Sequence, residues 1–264
     1  MTLFALGPEG TFSHELASLM SPGGKVELLP SIGLVCRAVE ERRGDGIIPI
    51  ENSEAGAVGP AMDALLRYRV SINAEMYREV HHCLASFLPI EEISVVYAHP
   101  QSSEQCSEFL DALGIGIRFT GSNAASAVEL TGNPTGAAVV SEHIAALYNL
   151  PIIRRNIENN PNNVTRFVRI SGDPVTDEMP EKCSIVVDPE EDRPGLLYDL
   201  LSVFARRNIN LSRIESRPSR RGIGSYVFFM DITTAPGWQD ALREITVITN
   251  VKPLGCYRHL EVPP

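Results

Sequence analysis

The sequence predicts two unequal domains in one chain of 264 residues: a larger α/β body, then a small α+β domain. Three observations point there. Short apolar runs alternate with helix-periodic stretches through the first two thirds of the chain. Ser171–Pro180 has linker composition, with two prolines, a glycine and turn-favouring polar residues. Beyond it the pattern becomes a β-α-β-β-α-β series, the split ferredoxin-like arrangement.

Taken in order, Thr2–Leu6 reads as a buried strand ending at Gly7, and Phe12–Met20 as a helix opening behind Thr11. Gly46–Ile50, Val95–Ala98, Gly116–Phe119 and Ala137–Val140 are further short strands. Helical stretches at Ser103–Leu113, Asn123–Leu130 and Glu142–Tyr148 stand near them, so a largely parallel sheet is expected. Val164–Ile170 returns as a late strand. After the seam come strand Cys183–Val187, helix Leu196–Arg206, strands Asn210–Glu215 and Tyr226–Thr233, helix Trp238–Thr249 and strand Val251–Leu260. Roughly 80 residues make a marginal lone core, so pairing with a second copy is expected.

A hydrophobic share of 44% supports a sizeable core, and a formal charge of −10 argues against a protein that tracks a nucleic-acid backbone. An anionic ligand must then be held by local dipoles and a few arginines. Cys36, Cys83, Cys106, Cys183 and Cys256 show no C-x-x-C spacing. They read as free, mostly buried thiols in a reducing cytoplasm, with neither a zinc site nor a disulfide framework. Neither a signal peptide nor a membrane span is visible, so a cytoplasmic protein without membrane or nucleic-acid partners is expected.

Several strings sit where chemistry is usually placed. Gly7–Ser13 (G-P-E-G-T-F-S) joins a strand to a helix without matching a nucleotide-binding loop. It is either a helix start holding a carboxylate or a tight turn. I-P-I-E-N-S-E-A-G puts Glu51, Asn52 and Ser53 at the carboxyl end of a strand, where α/β sheets bind ligands; the other reading is a polar loop with Asn52 in an Asx turn. A-H-P-Q-S-S-E-Q-C repeats the placement, with Gln101 and Gln105 one helical turn apart. His81–His82 reads as structural, its neighbours pointing to opposite faces. In N-N-V-T-R-F, Thr165 and Phe167 share one face of a strand and Arg166 takes the other, suggesting a pocket for a small polar ring or acid. No nucleophile motif supports covalent catalysis, and no cofactor or metal is expected.

Together G-P-E-G-T-F-S, P-I-E-N-S, H-P-Q-x-x-x-Q-C, A-A-x-x-S-E-H-x-A-x-x-Y-x-L, N-N-x-T-R-F and a late E-S-R-P run in order along nearly the whole chain, which in this resembles the prephenate dehydratase family. The resemblance implies a two-lobed, periplasmic-binding-protein-like catalytic domain over 1–172, with lobe 1 at about 1–76 and 163–172 and lobe 2 at about 77–162. The active site would lie in the cleft. It also implies an ACT domain over 181–264 that binds L-phenylalanine as feedback effector, and the monofunctional form, since no chorismate mutase segment precedes the body. The reaction would convert prephenate to phenylpyruvate with loss of carbon dioxide and water. Thr165 would be essential, with Asn52, Gln105 and Glu51 beside it.

Substrate contacts would come from Thr11, Ser13, Ser53, Gln101, Arg166 and Phe167. Arg166 or the Thr11–Ser13 helix start would neutralise the side-chain carboxylate. Effector contacts would come from Gly195, Leu196, Leu197, Asn210, Glu215, Ser216, Arg217 and Pro218, across a homodimer or homotetramer. Two departures stand out: Ala98 where the family often has Ser, which would remove a pocket hydroxyl, and Leu196, which would narrow the effector pocket. Arogenate dehydratase is the near alternative, and a non-catalytic amino-acid sensor the distant one.

Overall fold

The computed structural model describes residues 2–175, 177–190, 193–219, 221 and 225–263. The chain begins β1 (Thr2–Leu6), α1 (Phe12–Met20), β2 (Lys25–Leu29), α2 (Ile32–Glu40), β3 (Asp45–Asn52), β4 (Gly56–Ala57), α3 (Gly59–Arg67) and β5 (Ser71–Glu79). It crosses into a second lobe through β6 (Cys83–Ser86), β7 (Val96–Ala98), α4 (Pro100–Gln105), α5 (Ser107–Leu113), β8 (Ile117–Phe119), α6 (Asn123–Gly132), β9 (Ala137–Val140), α7 (Glu142–Leu147) and β10 (Ile152–Arg154). It returns on β11 (Val164–Ser171) and ends with β12 (Lys182–Val187), α8 (Leu196–Ala205), β13 (Leu211–Pro218), β14 (Tyr226–Thr233), α9 (Trp238–Ile248) and β15 (Val251–His259).

Each lobe has its own sheet. Lobe 1 runs β5-β11-β3-β1-β2 and lobe 2 runs β10-β6-β9-β7-β8. Only the β1-β2, β1-β3, β7-β8 and β7-β9 pairs within the lobes are parallel. β11 lies antiparallel to both β3 and β5, and β6 antiparallel to β9 and β10. The expected largely parallel sheet is therefore mixed, because the strands at the two lobe crossings are not βαβ units and can turn back on their neighbours. The long helix expected over Ser103–Leu113 breaks at buried Cys106, whose φ of −116° is not helical.

The small domain has the β-α-β-β-α-β order and the strand order β13-β14-β12-β15. Its sheet does not stand alone. Arg258 and His259 at the end of β15 pair in parallel with Ala74 and Glu75 of β5, which joins the two sheets into one of ten strands. Val186, Val227, Phe229, Leu254 and Tyr257 are buried in one cluster with Met62, Leu65, Val168 and Ile170 of lobe 1. The marginal core expected of the small domain is thus completed against the body. At the crossing, Gly255 (φ +141°) lets β15 approach so closely that a Cβ there would run into the carbonyl oxygen of Ile72. Lys252 reinforces the contact by donating to the last carbonyls of α3, those of Leu65, Leu66 and Tyr68, at 2.7, 3.0 and 2.7 Å.

One expectation about cysteine is overturned. Cys183 and Cys256 stand opposite each other on β12 and β15 and are joined as a disulfide, leaving Cys36, Cys83 and Cys106 free. The two are 73 residues apart in sequence, so only the strand pairing brings them together. Among the described residues no helix is long and apolar enough to cross a membrane.

Candidate active site

A cleft of about 420 Å³ opens between the lobes. Its apolar walls are Leu6, Phe12, Val58, Val80, Ile144 and Phe167, and its polar lining is made of hydroxyls, amides and imidazoles. No Asp, Glu, Lys or Arg lines it among the described residues.

The polar groups come from element ends. Asn52 closes β3 and lies opposite Thr165 in the β3-β11 register. Its amide Nδ2 donates to Thr165 Oγ1 at 3.0 Å and to Asn163 Oδ1 at 2.7 Å. Its own Oδ1 accepts the main-chain N–H of Glu54 and Ala55 at 3.1 and 2.9 Å, so the Asx turn and the site role coexist. Asn163 is fully buried and donates in turn to Glu54 Oε2 at 3.1 Å. Because Thr165 Oγ1 already accepts from Asn52, its own proton is free to be donated into the cleft.

Two helices of useful length open onto the same space. Thr11 caps α1 by accepting the His14 N–H at 3.2 Å, while its hydroxyl donates to the Leu6 carbonyl at 2.9 Å. Ser122 caps α6 by accepting the Ala125 N–H at 3.0 Å. The first-turn N–H groups of Phe12, Ser13, Asn123 and Ala124 have no hydrogen-bond partner among the described residues, and all four residues line the cleft. Ser102, in α4, donates to Asn123 Oδ1 at 2.7 Å and ties the α4 and α6 starts together. Such helix starts hold anions without a charged side chain.

Of the residues singled out in the sequence, Thr165, Asn52, Gln105, Thr11, Ser13, Gln101 and Phe167 line the cleft. Three do not. Ser53 sits behind it, donating to Asn163 Oδ1 at 3.3 Å and accepting the Val164 N–H at 3.0 Å. Glu51 points the other way, its Oε2 3.5 Å from both Arg166 Nη1 and Arg213 Nε.

Arg166 faces the small domain. It reaches Glu75 at 2.8 Å, Asp231 at 2.6 Å and the Tyr257 hydroxyl at 3.0 Å. Lys182 adds a second cation, 2.8 Å from Glu75. Burial alone would lower the Arg166 pKa, but Asp231, Tyr257 and Glu75 outweigh it and hold the guanidinium charged. Arg166 therefore cannot neutralise a carboxylate in the cleft, onto which the starts of α1 and α6 do open. Ala98 is fully buried in the lobe 2 core instead of lining the cleft, so no pocket hydroxyl is lost there.

In the small domain, Gly195 (φ +84°) begins α8. The Leu196 side chain turns into the domain core, so it does not narrow a surface pocket, whereas Leu197 and Tyr198 are exposed. On β13, Glu215 and Arg217 take one face while Ser216 and Pro218 are exposed on the other. Arg217 reaches Asp63 of α3 at 3.3 Å, and Asn210 precedes the strand.

Sequence reasoning gave no site role to His82, His99, Ser102, Ser122, Asn123 or Asn163. His82 and Asn163 lie on the two crossings between the lobes, which run along the floor of the cleft; Val80 N–H donates to the Asn163 carbonyl at 2.8 Å. His82, read as structural, lines the cleft. Ser122–Asn123 follows a strand end as His99–Gln101 does, and the same rule would have found it.

Fold and cleft together define a two-lobed α/β protein with a cleft of small-ligand size between its lobes and a ferredoxin-like domain on the edge of its main sheet. The prephenate dehydratase family model matches residues 3–175 and the ACT domain model residues 190–248, so the chain belongs to the prephenate dehydratase family, a family of hydro-lyases. It is 36% identical over 234 residues to the prephenate dehydratase of Methanocaldococcus jannaschii, covering 85% of each. It is 37% identical to arogenate dehydratase/prephenate dehydratase 1 of Arabidopsis thaliana, covering 95% of this chain and 70% of the relative. Among solved structures, prephenate dehydratase from Arthrobacter aurescens in complex with L-Phe superposes with a TM-score of 0.89 at 30% identity, over 100% of this chain and 94% of that one.

Proposed function

We propose that the interlobe cleft binds prephenate and converts it to phenylpyruvate, with Thr165 donating to the departing ring hydroxyl. The observation that carries this reading is the bond from Asn52 Nδ2 to Thr165 Oγ1, which commits the threonine oxygen as acceptor and frees its proton for the ligand. In the reaction the bond to the ring carboxylate breaks and its electron pair aromatises the ring. The C–O bond to the hydroxyl breaks with its own pair, and a proton on the departing oxygen completes water. The leaving carboxylate is favoured by the apolar walls, where desolvation disfavours its charge. The side-chain carboxylate suits the free N–H groups at the starts of α1 and α6.

The absence of acidic side chains from the described lining favours the keto acid over arogenate, whose ammonium would have no counter-charge there. We further propose that L-phenylalanine acts as effector at the Gly195–Tyr198 turn and the β13 segment Leu211–Pro218, with Asn210 beside it and a second copy completing the site. The L-Phe complex of the Arthrobacter aurescens relative supports this.

Incubation with prephenate, followed by phenylpyruvate absorbance in alkali, should show product, and arogenate should give a lower kcat/KM. No product from either compound overturns the enzyme reading; an arogenate preference overturns the substrate assignment alone. Unchanged rate and assembly size on addition of phenylalanine would remove the effector role.

A further inference from the structure

His82 is 1% exposed, yet it lines the cleft. Its main chain is clamped on both sides, the N–H donating to Glu158 Oε2 at 2.9 Å and the carbonyl accepting from Ile157 N–H at 3.0 Å. Its ring meets Phe12 edge-on, with centroids 6.5 Å apart. Nε2 lies 3.0 Å from Gln105 Oε1. A carboxamide oxygen only accepts, so the imidazole donates through Nε2–H and Nδ1 is left as a bare acceptor. Nδ1 is buried and has no partner in the protein among the described residues. An apolar side chain filling the same space would leave no buried acceptor without a partner. The Gln105 amide nitrogen makes no hydrogen bond among the described residues.

Resting on the dehydratase reading of the cleft, we propose that His82 is a positioning residue for the reaction: it holds the Gln105 carboxamide by its oxygen and so leaves that amide's N–H bonds for the oxygens of the substrate. Burial, against the carboxylates that face the ring, favours the neutral imidazole. Burial lowers its pKa below 6.5 and His81 adds to this, against the hydrogen bond to Gln105 and the carboxylates of Glu158 and Glu54. A second proton would go to Nδ1, inside the buried wall of the cleft.

The test is a double-mutant cycle in the full chain, following kcat/KM for prephenate in His82→Leu, Gln105→Ala and the pair. Each single change should cost on the order of 10²-fold, the scale of one lost oriented donor, and the pair about as much as the worse single. Losses that multiply would overturn the proposal. His82→Gln, which can replace the donor at Nε2, should recover most of the rate; a folded His82→Gln variant as poor as His82→Leu would also overturn it. Nitrogen-15 NMR of the histidines should show the Nε2–H tautomer for His82 without any substrate, and an Nδ1–H tautomer would sink the role even in an active enzyme. A wild-type chain silent on prephenate defeats the dehydratase reading itself, whereas turnover with independent losses defeats only the role of His82.

Discussion

Thr165 and Arg166 are neighbours on β11 that face opposite sides of one sheet. Thr165 Oγ1 receives the Asn52 amide at 3.0 Å in the cleft, while Arg166 Nη1 donates to Asp231 of the small domain at 2.6 Å. Strand alternation makes this unavoidable once either side chain is placed. One strand thus carries the proposed proton donor on one face and the main polar contact to the small domain on the other. Coupling between the two would require an arrangement that both sites bias.

Arg166→Met should lower stability by about 3–5 kcal/mol, the cost of leaving buried partners uncompensated. Asp231 would lose its guanidinium, and Glu75 would keep only Lys182. Urea unfolding measures the loss. If Arg166 also links the domains, phenylalanine should no longer change the rate of the variant under conditions where it stays folded. An unchanged unfolding midpoint would contradict the stability prediction.

Thr165→Val should lower kcat by roughly 10²-fold or more with little change in KM, since the hydroxyl is assigned to the departing oxygen and not to ground-state binding. Thr165→Ser should keep most of the rate. Steady-state kinetics on prephenate decides, and a fully active Thr165→Val would remove the residue from the mechanism while leaving family membership intact.

Gly255→Ala should destabilise by about 1–3 kcal/mol. The left-handed φ strains any side chain there, and the group it meets is the Ile72 main chain, which cannot move aside as a flexible side chain would. Thermal melting should show a lowered Tm, and limited proteolysis should cut faster between 173 and 180 as β15 loosens from β5. Equal cleavage of both proteins would mean that β15 tolerates the intrusion.

The pair His81–Glu158 should give a stability term with a definite pH window. The hydrogen bond to Glu158 raises the His81 pKa above 6.5, so this contribution is complete below 6.5 and lost as pH rises through the raised value. Burial would raise the Glu158 pKa, but the His82 N–H and His81 outweigh it and bring it below 4.5. That contribution is present above 4.5 and lost as pH falls through the lowered value. The Tm difference between the protein and His81→Gln should therefore be largest between pH 4.5 and 6.5 and shrink above. A difference that grew towards alkaline pH would reverse the assignment.

Much of this was legible in residue order. The alternation of Thr165, Arg166 and Phe167 put Thr165 and Phe167 on one face, which is the cleft side, although Arg166 was still expected in the pocket, and the strand-end rule found Asn52, Gln101 and Gln105. The rule fails for Glu51 and Ser53 because it names a loop and not the direction of each side chain within it. The helices α2 and α3 and the strands β2, β5, β6 and β10 were passed over. β2, β6 and β10 are short, but α2 was legible, with Ile32, Val35, Cys36 and Val39 at helical spacing behind the Ser31 cap.

The sequence by itself determined the two-part order, most strand and helix positions and several residues of the cleft lining, Asn52, Gln105 and Thr165 among them, because these follow from local periodicity, caps and turn chemistry. Only the tertiary structure decided what lies opposite them. Arg166 meets Glu75 and Asp231 across 91 and 65 residues, Cys183 meets Cys256 across 73, and His82 meets Gln105 across 23. Such pairings are set by sheet register and lobe packing, which no local pattern encodes. They turned an arginine expected in the substrate pocket into a contact with the small domain, and they left a cleft without Asp, Glu, Lys or Arg in its lining among the described residues, onto which the free N–H ends of two helices open.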